Sequence, residues 1–292
     1  MTVASTKLSP SANKKGQDVK IDIFHLNQIP DAMEKMGWTV APQLMRHWFS
    51  ITPAYKFTQD TKIKLITGDA MENPEKLVND TIVKMAWARP YIKDKLQERM
   101  KTWNSAAGIE RLLKRLKSAG YSPNLCVPLG MSDSARVLGA TAQVNTIKVG
   151  GLLDTIDDWY GAIGNASLNF AVSGYSGTHQ NRPAFFVDRV GVYIKDTYDF
   201  VDDNKHASEP LGVWSKNRVL TKAESTMYLA SYGSGLFGML ARDWSGFVPM
   251  FNSDFRDWQD KHNTGGDFIV FSDVLWLSPL PNQRVIFCEK IS

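Results

Sequence analysis

The chain has 292 residues, 43% of them hydrophobic and 22% charged, enough for one large core or two smaller ones. No apolar run reaches the length of a membrane-spanning helix. The polar start MTVASTKLSPSANKKGQDVK lacks the hydrophobic stretch of a secretory signal, so the expectation is a protein made in the cytoplasm without a signal peptide.

The net charge of +4 is unevenly placed: residues 1–120 hold 20 Lys and Arg against 12 Asp and Glu, and residues 121–292 hold 14 against 18. A basic first half suits either an anionic partner such as a membrane surface or an ordinary set of solvated helix faces. No RNA-binding signature, zinc-finger spacing or arginine-rich arm points to nucleic acid. Cys126 and Cys288 form no metal-ligand spacing and fit a reducing compartment, with one long-range disulfide left open. Nine tryptophans and nine tyrosines imply a large aromatic core or a ligand-facing groove.

In chain order, residues 1–20 read as a disordered tail. Residues 21–24 read as a short strand or extended segment, followed by helices over 31–36, ended by Gly37, and over 41–49, where Leu44, Met45, Trp48 and Phe49 share a face around a structural His47. Residues 53–68 read as irregular or a hairpin. Helices follow over 76–88, ending before Pro90, and over 91–103. Ile109, Leu112, Leu113 and Leu116 mark the clearest helix, with Gly120 closing it. Beyond Tyr121 the texture turns Gly-, Ser- and aromatic-rich. A short helix over 154–163, strands over 166–175 and 185–196, a glycine-weakened helix over 224–240, and strands over 266–277 and 284–288 complete the reading. The fold class is α+β: a tail (1–20), a mostly helical region (21–120) and a β-rich, antiparallel or mixed, catalytic region (121–292).

The strand over 185–196 organises the functional reading. Val190, Val192 and Ile194 alternate with polar neighbours, and the strand delivers Asp196, Tyr198 and Asp199, then Asp202, Asp203 and His206. A strand that carries carboxylates, a phenol and an imidazole to its end fixes them while a loop exposes them. The run Asp202 to Lys205 also reads as a plain solvated turn. A second constellation is NSDFRDWQDKH over 252–262. There Arg256 offers a guanidinium to a phosphate, or else pairs with Asp254, Asp257 or Asp260, and His262 faces the same side as Trp258. Walker A, G-x-G-x-x-G, H-E-x-x-H and G-x-S-x-G patterns are missing in the contexts that would give them meaning.

The segments IPDAMEKMGW, LMRHWF, DTYDF, LGVW and NSDFRDWQDKHNTGGDFIVFSDV resemble an uncharacterised proteobacterial domain family associated with type VI secretion. The DTYDF segment also resembles the active-site motif of the colicin M family, magnesium-dependent toxins that cleave the pyrophosphate linkage of lipid II. Asp196, Tyr198 and Asp199 match that family's Asp-x-Tyr-Asp. His206 stands one residue beyond the family's histidine and is followed by Ala207 instead of arginine.

The resemblance implies catalytic Asp196, Tyr198, Asp199 and His206, with Arg256 supplying the missing arginine. It further implies magnesium on Asp196 and Asp199, and substrate contacts from Trp214, Asn252 and His262. The function it implies is an antibacterial effector that hydrolyses a lipid-linked peptidoglycan precursor in the target-cell periplasm. A secretion-machine component and a cognate immunity protein would be its partners. The rival expectation is a non-enzymatic adaptor or chaperone that loads such an effector, with its tryptophan-rich surface as the interface.

Overall fold

The computed structural model describes residues 24–67, 78–79, 82–122, 125–151, 155–202 and 208–288. The tail over 1–20, the extended segment up to residue 23, and His206 and Asp203 lie outside the described residues.

The helical part opens with α1 (Ile29–Lys35) and α2 (Ala41–Ser50), both starting with Pro in the first turn, where its missing N–H costs nothing. Gly37 closes α1 at φ +82°. Of the stretch expected over 53–68 as irregular or a hairpin, residues 53–58 are irregular and helix α3 (Gln59–Thr67) takes the rest of the described part. It starts at Thr58, whose side chain accepts from the Thr61 N–H. A two-residue strand β1 (Val78–Asn79) follows, then α4 (Met85–Thr102).

Helix α4 corrects two expectations: the helix read over 76–88 begins only at Met85, with β1 at Val78–Asn79, and it runs through Pro90 into the stretch read as a separate helix over 91–103. Pro90 removes a single bond, to the Ala86 carbonyl, and Ala86 is exposed, so water can replace the lost donor. In α5 (Ala106–Ser118), Leu112 and Leu116 are fully buried, whereas Leu113 is only half-buried and sits at the edge of the stripe.

The second part begins with β2 (Pro128–Leu129), α6 (Ala135–Thr141), β3 (Gln143–Val149) and α7 (Asp158–Ala162). The long hairpin of β4 (Ala166–His179) and β5 (Arg182–Tyr198) is the spine of the sheet. Then come β6 (Pro210–Trp214), α8 (Lys222–Gly233), α9 (Phe237–Asp243), β7 (Val248–Phe251) and α10 (Asn252–His262). The chain ends in β8 (Phe268–Phe271), β9 (Leu275–Leu277) and β10 (Val285–Phe287). The helix expected over 224–240 is two, broken where Gly235 turns at φ +74°.

Among the described residues the main sheet runs β1-β8-β5-β4-β2, with β3 beside β4 and both β9 and β10 beside β5. All its pairs are antiparallel except β1–β8. The protein is thus α+β, helices first and an antiparallel sheet after.

Register explains the core. Leu168, Phe170 and Val172 lie opposite Ile194, Val192 and Val190, so their side chains share one face. That face packs under α1, α2, α4, α5, α7 and α10 in a single buried cluster drawn from both halves of the chain. The opposite face carries a smaller cluster of Ala171, Tyr193, Ile269 and Phe271 beneath α6. Cys126, exposed, and Cys288, buried, are free thiols.

Candidate functional site

The apolar face of β5 continues past Ile194 as Asp196 and Tyr198, opposite Val270 and Phe268 of β8. The alternation that buries the valines therefore aims these two side chains along the same face, at the end of the core. There the helical layer leaves a cleft of about 390 Å³. Asp196, Thr197, Tyr198 and Asp199 line one side of it, and Trp38, Tyr160 and Trp214 line another. Ile29, Met33, Met45, Ile66 and Ile156 supply apolar wall.

An aromatic bed fixes the motif. Tyr198 stacks on Phe268 at 5.3 Å between ring centroids, and Phe200 stacks on Phe255 at 3.6 Å. Trp48 meets both Phe200 and Phe255 edge-on. Burial pushes the Tyr198 phenol well above its ordinary range, so it stays a neutral hydrogen-bond donor at physiological pH.

The Asp199 side chain is 1% exposed; its Oδ1 accepts from Lys62 Nζ at 3.1 Å and from the Val201 N–H at 3.1 Å. Its Oδ2 is buried with no partner among the described residues. Lys62 stands on α3 and lines the cleft, with a third of its side chain exposed. Desolvation, and secondarily the nearby Asp199 carboxylate, push the Asp196 carboxyl well above its usual range. A carboxylate in that state gains from any cation that reaches it, whether a proton or a metal.

A further carboxylate, outside the cleft lining, holds the segments that carry Trp38 and Tyr160. Asp158 of α7 points at the start of α2. Its Oδ2 accepts from the Thr39 N–H and hydroxyl, both at 2.9 Å, and from Trp87 Nε1 at 3.3 Å. Its Oδ1 accepts from the Ala41 N–H at 2.8 Å, and the Val40 N–H reaches both oxygens. These bonds satisfy donors that every helix start leaves orphaned, and they pin α7 against the segment carrying Trp38. Gly161 lets the Trp38 ring lie against α7, since a Cβ there would stand 2.7 Å from the ring. Trp38 then meets Trp214 edge-on at 6.0 Å.

Of the residues singled out in the sequence, Asp196, Tyr198, Asp199 and Trp214 meet in this cleft, and His206 lies outside the described residues. Arg256 does not reach it. Its guanidinium pairs with the fully buried Asp267 at 2.7 Å and donates to Gln259 Oε1 at 2.8 Å. Asp267 also accepts from Trp48 Nε1 at 3.0 Å and the Phe57 N–H at 2.7 Å, so Arg256 neutralises a buried structural carboxylate. That partner is none of the three nearby aspartates expected for it.

Asn252 is buried; its Nδ2 donates to the Val201 carbonyl at 3.2 Å, which holds the segment after the motif and keeps the side chain out of the cleft lining. His262 packs on Trp258 at 4.1 Å, as the i, i+4 spacing implies, in a separate hollow with His25, Asp254 and Lys261. His47 is structural, edge-on to Phe268 at 4.7 Å, and burial lowers its pKa. Lys62 and Glu209 are charged cleft residues that sequence reasoning missed.

For magnesium the donor set is asymmetric. Among the described residues no group of three or more His, Cys, Asp or Glu is placed to hold a metal ion. Asp199 Oδ1 is taken by Lys62 and the Val201 N–H, while Asp196 and Glu209 are the other carboxylates of the lining. One carboxylate with substrate phosphates and water is enough for magnesium, which keeps much of its hydration. A magnesium ion there would be held by the Asp196 carboxylate, with the unpartnered Asp199 Oδ2 as the second oxygen that the motif resemblance implies.

Fold and site together define an α+β protein with one mixed cleft, acidic and basic at its sheet end and apolar along its walls. The chain belongs to DUF6402, a family of unknown function, which matches residues 24–287. No curated protein and no solved structure matches the chain.

Proposed function

We propose that the cleft is the active site of a phosphoester hydrolase whose substrate is a lipid-linked pyrophosphate of the cell-wall precursor type, and that the protein serves as an antibacterial effector acting in the target-cell periplasm. The observation that carries this reading is the meeting of Asp196, Tyr198 and Asp199 with Lys62 at the polar end of a cleft whose walls are apolar. Such a cleft suits an amphipathic ligand with phosphate at one end and hydrocarbon beyond it. The effector role and the type VI route rest on the resemblances of the sequence.

In this reading Lys62 holds a phosphate oxygen, and Asp199 keeps its ammonium in place by the 3.1 Å ion pair. Asp196 takes the proton of the attacking water; burial raises its pKa, which makes it a stronger base than an ordinary carboxylate. The neutral Tyr198 phenol donates toward the leaving oxygen. Magnesium, when bound by Asp196 and the substrate phosphates, supplies neutralisation of phosphate charge. Trp38 and Trp214 exclude water from the wall facing these groups.

The test compares wild type with Asp196→Asn and Lys62→Met, each directed to the periplasm and to the cytoplasm of the same strain, with circular dichroism on the purified proteins. The expected result is toxicity confined to the periplasm and lost in both folded variants. Equal toxicity of wild type and variants would refute the site. No toxicity from either compartment would turn the reading toward the adaptor.

A further inference from the structure

Residues 225–241, STMYLASYGSGLFGMLA, hold no charged side chain over 17 positions. They form the facing ends of α8 and α9 and the glycine turn between them. The inner side of this hairpin has its own small core: Tyr228 and Leu240 pack with Val213 and Leu220, and the Tyr228 hydroxyl donates to the Phe247 carbonyl at 3.0 Å.

The outer side is different. Met227, Tyr232 and Leu236 are 58%, 50% and 54% exposed, and every described exposed residue from Thr226 to Gly238 is uncharged. Charge returns only at the two roots, with Lys222 and Glu224 on one helix and Arg242 and Asp243 on the other. Single exposed apolar residues need no explanation; three on one charge-free turn with charged roots do.

We propose that this hairpin is a membrane-interface anchor that dips its glycine turn into a lipid bilayer. The chemistry favours lipid over a protein partner. Small residues and Gly233, Ser234, Gly235 and Gly238 offer little shape for a protein pocket, whereas a bilayer requires none. A tyrosine beside leucine and methionine is the composition that settles at the boundary of headgroups and acyl chains, and the charged roots mark the water level.

The anchor lies on the surface of the bilayer, since no helix among the described residues is long and apolar enough to cross it. Its root adjoins the cleft: Lys222 Nζ sits over the Tyr160 ring at 4.8 Å, and Tyr160 lines the cleft together with Leu211 and Trp214 of β6. The inference rests on the lipid-pyrophosphate reading for its purpose, since an anchored hairpin would bring the cleft to the headgroup level where such a substrate lies.

The test uses the full chain as Leu236→Cys in a Cys126→Ser background, labelled with an environment-sensitive dye; Cys288 is buried and stays unlabelled. Vesicles of phosphatidylcholine, with and without phosphatidylglycerol, are added. The expected result is a blue shift with both compositions that survives high salt. In the unlabelled chain, combined Met227→Ser, Tyr232→Ser and Leu236→Ser should lower vesicle affinity, measured by co-sedimentation, by about tenfold or more, which corresponds to about 1.4 kcal/mol. No shift, or a shift that needs phosphatidylglycerol and vanishes in salt, would overturn the anchor.

Hydrolysis of a lipid pyrophosphate in detergent micelles separates the two claims. Vesicle binding without hydrolysis leaves the anchor standing and removes the enzymatic reading. Hydrolysis in micelles without vesicle binding does the reverse.

Discussion

Asp158→Asn should destabilise the protein and loosen the cleft together. The substitution keeps the shape of the side chain and one acceptor oxygen, which can still take the Val40 and Ala41 N–H groups. The new amide NH₂ then faces the Thr39 N–H and Trp87 Nε1, two donors that lose their acceptor. A fully buried donor left unsatisfied costs roughly 1–3 kcal/mol, and these two bonds are only partly buried, so the pair should cost about 1–3 kcal/mol after local relaxation. Urea unfolding should show a lower midpoint at an unchanged slope.

The neighbouring Asp157→Asn is the control. Asp157 caps α7 by accepting from the Tyr160 N–H at 2.9 Å, and asparagine caps equally well, so its change should be near zero. If Asp158→Asn lost no more stability than Asp157→Asn, the carboxylate would not be what holds α7 to α2.

Leu112→Ala should cost about 2–5 kcal/mol in the same assay, because Leu112 is fully buried, and the half-buried Leu113→Ala clearly less; the reverse order would misplace α5. Arg256→Leu should cost about 3–5 kcal/mol by stranding the Asp267 charge while leaving residual activity per folded molecule intact, measured below the unfolding transition. A loss of activity in a stable Arg256→Leu protein would return Arg256 to the site. A carboxyl whose folded pKa exceeds its unfolded value binds more protons folded than unfolded, so Asp196 makes stability fall as pH rises from the ordinary carboxylate range toward its raised folded pKa. Asp196→Asn should flatten that decline and be the more stable protein at neutral pH; a pH–stability profile parallel to wild type would contradict the burial argument.

The residues that read correctly in the sequence share a cause. β5 was legible because its two faces differ, so Val190, Val192 and Ile194 announce the core face and carry Asp196 and Tyr198 onto it. Helix α3 was not legible: Ile63 is exposed and no full apolar stripe marks it, yet it delivers Lys62 to an acid 137 positions away. No local pattern encodes a contact of that separation.

Pro90 misled because the rule that proline ends helices assumes a buried carbonyl four residues before it, and Ala86 is exposed. Helical spacing placed Leu112 and Leu113 on one stripe but could not say which edge β3 would cover. Sequence reasoning offers Arg256 a phosphate, or else one of three aspartates on its own helix, while its partner, Asp267, lies across the turn that follows α10. Asp158 passed as an ordinary helix residue, since the orphan donors it serves belong to α2.

The most direct test of the cleft is steady-state release of phosphate or pyrophosphate from a purified lipid-linked cell-wall precursor in detergent with magnesium. Wild type, Lys62→Met, Asp196→Asn and the control Asn217→Ala, on an exposed loop outside the cleft lining, should be measured side by side. Loss of one preorganised electrostatic group costs roughly 2.7–4 kcal/mol of transition-state stabilisation, so kcat/KM should fall about 10²- to 10³-fold in each cleft variant and stay unchanged in the control. Wild-type turnover that survives both cleft substitutions, or no turnover by folded wild-type protein, would contradict the assignment of Asp196 and Lys62 to catalysis.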